Sequence, residues 1–99
     1  MLIGEVAKLS DVSKDTVRLY TQKGLIICSQ KRAGSRLYAD YDPSIVELIK
    51  GIRITQSLGF TLTELKPLAE EYVAGRLSTK KGRAVLKEKL KEIEKKQRQ

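Results

Sequence analysis

Tryptophan and histidine are absent from this 99-residue chain, and cysteine, methionine and phenylalanine occur once each. These shortages remove whole classes of function. Without histidine, and with Cys28 as the sole thiol, the chain lacks the soft donor set of a zinc or other transition-metal site. An internal disulfide is impossible, and Cys28 reads as a small hydrophobe in a reducing, cytoplasmic setting. No run approaches the roughly 20 apolar residues of a membrane span, so no membrane partner is expected. The first residues also lack the basic, apolar and small-residue pattern of a secretory signal. No nucleophile–base pair, phosphate-cradling glycine loop or paired-acid constellation stands out. The expectation is therefore a protein that is not an enzyme, with no cofactor and no metal.

Positive charge is abundant. The formal net charge is +8, which points to a polyanionic partner. Its distribution matters more than its size. Residues 80 to 99 carry nine Lys/Arg against three Glu, a net of +6, which leaves +2 for everything before them. A Lys-rich tail is an ordinary solvated face. The stretch from 14 to 36 is more informative: Lys14, Arg18, Lys23, Lys31, Arg32 and Arg36 stand against Asp15 alone, a local net of +5.

Helical periodicity places these charges. Ile3, Val6 and Ala7 share one face of a first helix running to about Leu9. Ser10 to Val12 form a turn, with Val12 between the helices. Ser13 is an N-cap type for a second helix from Lys14 to about Lys23, closed by Gly24. Val17 and Tyr20 face inward, leaving Lys14, Asp15, Arg18, Thr21 and Gln22 largely outward. Leu25 to Cys28 is apolar and β-prone, Lys31 to Ser35 a polar tip, and Arg36 to Tyr38 a return strand. This predicts a hairpin whose loop exceeds two residues.

Asp42-Pro43 opens a third helix, with Ile45, Leu48, Ile49 and Ile52 as its buried stripe and Gly59 beyond its end. Thr61-Leu62-Thr63-Glu64 is a capping box, and Phe60 and Leu65 stand at the staple positions. The fourth helix should bury Leu65, Leu68, Ala69 and Tyr72 and end at Gly75. Pro67 inside it predicts a kink or a tightened first turn. From Ser78 or Thr79 a last helix should run to the C-terminus. Leu86, Leu90 and Ile93 alternate steps of four and three, the start of a coiled-coil seam.

The fold class expected is mainly α: a winged helix-turn-helix with a small β-hairpin wing over residues 1–76, then a linker and the start of an antiparallel dimerisation helix over 77–99. A second helix with its N-terminal residues in the major groove, and a wing beside it, is a recurrent DNA-reading geometry. The candidate DNA contacts are Lys14, Asp15, Thr16, Arg18, Lys31, Arg32, Ser35, Arg36 and Tyr38. Arg18 is the foremost, although pairing with Asp15 three residues away is its ordinary alternative. Asp15 could accept from cytosine N4 or simply favour the helix dipole. Lys31, Arg32 and Arg36 read as phosphate contacts, which set register more than sequence choice. Tyr38 reads as a DNA or wing-anchoring residue and Tyr41 as core.

Four stretches together, IGEVAKLSDVSKDTVRLYTQKGLI, GSRLY, YDPSIVELIKGIR and LGFTLTELKPL, resemble the DNA-binding region of the MerR family of bacterial transcription regulators. The resemblance covers about residues 2 to 75 and the helix beyond. It implies a winged helix-turn-helix, a second wing-like helix pair and a long helix pairing antiparallel in a homodimer. It also implies binding to a pseudo-palindromic promoter element with distortion of that DNA, and RNA polymerase as a partner at the promoter. The expected location is cytoplasmic, with the nucleoid. Leu19-Tyr20 stands where the family commonly has two aromatics, Thr21 where it has an acid, and Ser35 where it has Tyr, so one backbone contact is missing or replaced. Family members place an effector domain or a cysteine-bearing metal loop after the dimer helix. This chain stops at Gln99, either as a fragment or as a protein with no sensor of its own. Two alternatives share the fold: a protein-binding adaptor of the chaperone-modulator type, which would not need the basic stretch from 14 to 36, and a small excisionase-like DNA-bending protein.

Overall fold

The computed structural model describes residues 1 to 97; Arg98, counted in the basic tail, lies outside the described residues. Among these, five helices and one antiparallel hairpin follow in the order α1 (Ile3–Ser10), α2 (Lys14–Gln22), β1 (Ser29–Ala33), β2 (Arg36–Asp40), α3 (Ile45–Ser57), α4 (Leu62–Val73) and α5 (Thr79–Gln97). The mainly helical winged helix-turn-helix is what the sequence predicts.

The helix ends follow their local chemistry. Asp11 adopts a left-handed conformation (φ 56°) to close α1, and Ser13 Oγ accepts the Thr16 N–H at 3.0 Å to open α2. Gly24 (φ 75°) turns the chain after α2. At the start of α4, Thr61 Oγ1 accepts the Glu64 N–H and Glu64 Oε1 accepts the Thr61 N–H, a complete capping box. The flanking Phe60 and Leu65 are both buried, as a hydrophobic staple requires. Pro67 lies inside α4, which continues to Val73. At Asp42 the cap acts one step early: its Oδ1 accepts the Ser44 N–H, forming a turn, and regular helix begins only at Ile45.

One core unites α1 to α4. Val6, Val17, Tyr20, Ile26, Tyr41, Ile49, Phe60 and Leu65 lie within it, each nearly or fully buried. Each large apolar side chain so buried contributes about 1.5–3 kcal/mol. Ser10, at the end of α1, is also buried, and its hydroxyl has no hydrogen-bond partner among the described residues.

The hairpin is displaced from its expected place. Leu25 and Ile26 are not strand; they are buried in the bend after α2, and Ile27 is exposed. The strands begin at Ser29, so Lys31 and Arg32 sit within β1 rather than at a tip. Ala33 pairs with Arg36, leaving a two-residue turn, Gly34-Ser35, with Gly34 at φ 64°. The apolar run misleads because it reports burial, and here core packing rather than a ladder supplies the burial. Two further corrections concern single residues. Tyr72, expected in the core, is 54 % exposed on α4. Thr21, expected outward, is half-buried, and its hydroxyl donates to the Val17 carbonyl at 2.8 Å.

Helix α5 runs back along α4. Glu71 pairs with Lys81 (3.3 Å) and Glu64 with Lys89 (3.0 Å), so lower residues on α4 meet higher ones on α5. Val85 packs against the core, whereas Leu86 and Leu90 are exposed. An apolar cleft of about 210 Å³ remains between α3, α4 and the start of α5, with Tyr72 and Leu86 among its walls.

Candidate nucleic-acid interface

The start of α1, the N-terminal half of α2 and strand β2 enclose a shallow concavity. Lys14, Arg18 and Tyr38 line it, with Leu2 to Glu5 as its floor. A second concavity adjoins it, sharing Leu2, Glu5 and Tyr38, and adds Lys31 and Arg36. Five of the nine candidate DNA-contact residues thus border one continuous surface. Glu5 is the acid common to both halves.

Strand geometry decides which wing residues join it. Side chains alternate across a strand, and cross-strand pairs share a face. The pairs Lys31–Tyr38 and Ala33–Arg36 therefore stand on one face, and Arg32–Leu37 on the other. Arg32 is separated from Lys31 and Arg36 by this register. Ser35 is exposed in the turn. Thr16 is half-buried, with its Oγ1 3.0 Å from Ser13 Oγ, so its polar groups serve the cap.

Within the surface the cations differ in freedom. Among the described residues, Lys14, Arg32 and Arg36 have no carboxylate within ion-pair distance. Arg18 Nη1 donates to Asp15 Oδ1 at 2.8 Å. The arginine is 56 % and the aspartate 91 % exposed, so solvent screens this pair and it contributes little to stability. Lys31 lies 3.3 Å from Asp40 Oδ2, and the Met1 ammonium donates to Asp40 Oδ1 at 2.8 Å. The Met1 ammonium first, and Lys31 second, hold the Asp40 carboxyl below the usual carboxylate range. Met1 also exchanges backbone bonds with Tyr41. The chain start is thereby stitched to the base of the wing.

Other ties fix α2 in place. Thr21 Oγ1 lies 2.9 Å from the Tyr41 hydroxyl, joining α2 to the end of the wing. Tyr20 donates to Gln56 Oε1 at 2.6 Å, joining α2 to α3. Burial pushes the Tyr20 phenol above its usual range, with Arg53 opposing. Arg53 donates to the Asp11 carbonyl at 2.8 Å, which braces the turn between α1 and α2. Lys66 of α4 lies over the end of α2, its Cε 3.2 Å from where a Cβ on Gly24 would stand. A cation there complements the negative end of the helix dipole. Sequence reading missed Lys66, Arg53 and the Met1–Asp40 tie, because each depends on contacts between distant segments.

Residues 1–72 match the family model described as MerR HTH family regulatory protein, and residues 46–99 the one described as MerR, DNA binding. The chain is 35 % identical over 97 residues to the HTH-type transcriptional regulator HmrR of Sinorhizobium medicae, covering 97 % of this chain and 64 % of that protein. It is 30 % identical over 94 residues to the HTH-type transcriptional regulator ZntR of Escherichia coli K12, covering 93 % and 64 %. The chain thus spans less than two thirds of these curated relatives. The crystal structure of the transcription regulator PbrR691 from Ralstonia metallidurans, in complex with lead(II), superposes with a TM-score of 0.80 at 24 % identity, covering 99 % of this chain and 75 % of that one. That likeness concerns the fold. Among the described residues, no three His, Cys, Asp or Glu gather as a metal site, and Cys28 has neither a histidine nor a second thiol to join it.

Proposed function

The chain belongs to the MerR family, and from that premise we propose that it is a sequence-specific, double-stranded-DNA-binding transcription regulator. The observation that carries the reading is the continuous surface formed by Lys14, Arg18 and Tyr38 with Lys31 and Arg36. In this reading the N-terminal half of α2 enters the major groove, Lys14, Asp15 and Arg18 meet bases or phosphates, and Lys31, Arg36 and Tyr38 hold the flanking backbone. Thr16, Arg32 and Ser35 are secondary contacts.

Residues 1–76 act as the DNA-binding domain and 77–99 as linker and dimerisation helix. The chain works as a homodimer through α5, on a pseudo-palindromic promoter site that it distorts, beside RNA polymerase in the cytoplasm. Exposed Leu86 and Leu90, with Leu86 and Tyr72 bordering an open apolar cleft, support a covering partner helix. Ile93, the third seam residue, is half-buried and leans toward Gly59 of its own domain, so the free seam is carried by the two leucines.

Selection of bound sites from random duplex DNA, repeated at several salt concentrations, tests this. The expected outcome is a two-fold-symmetric consensus whose affinity falls linearly on a log–log salt plot. Enrichment of no sequence above background would overturn it.

A further inference from the structure

Among the described residues, Lys89 is the most enclosed of the ion-paired lysines. Its side chain is only 11 % exposed although it sits on the solvent-rich helix α5. Its Nζ donates to both carboxylate oxygens of Glu64, at 3.0 and 3.1 Å, and to Glu92 at 3.4 Å. The ammonium stands 5.2 Å from the centroid of the Phe60 ring. Its Cε, and Cδ1 of Ile93, each come within 3.6 Å of where a Cβ on Gly59 would lie. Gly59 has φ 101°, a conformation that disfavours any side chain, and α5 occupies the space beside it.

Glu64 is the acid of the capping box. Its Oε1 accepts both the Thr61 N–H and the Lys89 ammonium. One carboxylate therefore holds the first turn of α4 and the flank of α5 together. Phe60 is linked twice, as the staple under that turn and as the face beneath the ammonium. Exposed Lys–Glu pairs are interchangeable and contribute little. Here the lysine is enclosed although Glu64 is 40 % exposed, and its partners outside α5, Phe60 and Glu64, both belong to the α3–α4 turn and the first turn of α4.

We propose that Lys89 is a positioning residue through which α5 sets the α3–α4 turn, Gly59-Phe60-Thr61. A rotation or slide of α5 moves the ammonium, and Glu64 and Phe60 carry that movement into the turn. On the DNA-binding reading proposed above, the α3–α4 pair flanks the reading unit. The contact then lets the state of the dimer helix alter how the DNA is held without changing α2.

The test uses the whole 99-residue chain and three variants. Lys89→Met keeps the stem over Phe60 and removes the charge. Lys89→Arg keeps a cation. Lys91→Met removes an exposed charge on the same helix. In Lys89→Met, the backbone amide resonances of Gly59, Phe60 and Thr61 should shift, and Thr61 amide exchange should quicken by about 2- to 10-fold, the scale of one weakened hydrogen bond. The Glu64 carboxyl should titrate closer to its ordinary range. Lys89→Arg should restore all three, and Lys91→Met should leave them unmoved. Resonances of α1 and α2 should stay in place, which separates repositioning from unfolding. Turn amides that ignore Lys89→Met, or that respond equally to Lys91→Met, overturn the proposal. With a selected duplex bound, Lys89→Met should change the fluorescence of a base analogue at the site centre more than it changes affinity. If the amide result holds and the parent retains no duplex, the positioning role stands and the DNA reading falls.

Discussion

The Thr21 hydroxyl on α2 meets the Tyr41 hydroxyl at the end of the wing, 2.9 Å away, while also bonding the Val17 carbonyl. The two residues are 20 positions apart, and the bond ties α2 to the end of the hairpin. Thr21→Val should leave Tyr41, which is buried, short of a partner. A loss of about 1–3 kcal/mol is expected in denaturant unfolding, the usual cost of an unsatisfied buried group. Thr21→Ser should recover most of it. Equal stability of the Val variant and the parent would show that the bond does not bear on the fold.

Arg18 and Asp15 can be separated by mutation. Arg18→Ala should weaken binding to the selected site by about 1–3 kcal/mol if the guanidinium reaches a base. Its circular dichroism should match the parent, because Arg18 is exposed. Asp15→Asn releases Arg18 from its 2.8 Å pair. Unchanged or tighter binding is expected if Asp15 only restrains Arg18; relaxed choice at one base pair would assign it to cytosine instead.

The hairpin register predicts that two wing arginines behave differently. Arg36 shares a face with Lys31 and Tyr38, whereas Arg32 stands on the opposite face with Leu37. Arg36→Ala should make the slope of log K against log salt shallower by about 0.9, one phosphate contact's worth. Arg32→Ala should change it much less. A larger effect at Arg32 would mean that the hairpin presents its other face.

Leu90 is 57 % exposed on α5. Leu90→Lys should place a charge in the proposed seam, split the dimer in sedimentation equilibrium and abolish most affinity for a full two-fold site. Half-site affinity should hold, since α1, α2 and the hairpin are untouched. A parent that stays monomeric with and without its DNA site would remove the seam.

Acid should loosen α5 from α4. The Thr61 N–H first, and Lys89 second, hold the Glu64 carboxyl below its ordinary range, and Lys81 does the same for Glu71. A carboxyl whose folded pKa is depressed contributes stability above its unfolded value, and that contribution is lost as pH falls through the folded one. The window therefore opens near the ordinary Glu value of about 4.3 and extends downward. Thermal unfolding measured from about pH 5 to pH 3 should show a steeper fall for the parent than for Glu64→Gln/Glu71→Gln. Parallel curves would show that the two pairs are too well solvated to matter.

Features confined to one helical turn were legible in the amino-acid order. Ser13, Gly24 and the Thr61–Glu64 box are caps between residues a few positions apart, so identity and spacing determine them. The buried stripe of Val6, Val17, Tyr20, Ile49 and Leu65 was legible because apolar side chains at helical spacing have one stable place to go. Other features needed the assembled molecule. Leu25 and Ile26 look like strand, yet they join the core shared with Ile45, Leu48 and Leu65, which buries them in a bend, and the hairpin starts only at Ser29. That shift sets the register, and the register puts Lys31 and Arg36 on the face of Tyr38 while sending Arg32 to the other. The Thr21–Tyr41 and Glu64–Lys89 contacts join segments 20 and 25 residues apart. The sequence by itself determined the helices, most of their ends and most of the burial stripe, because those depend on neighbours along the chain; the start of α3 and the exposure of Tyr72 were exceptions. Which polar groups meet across the fold was decided only by tertiary structure, because a bond of about 3 Å requires two elements to be fixed relative to each other, and no local signal encodes that placement.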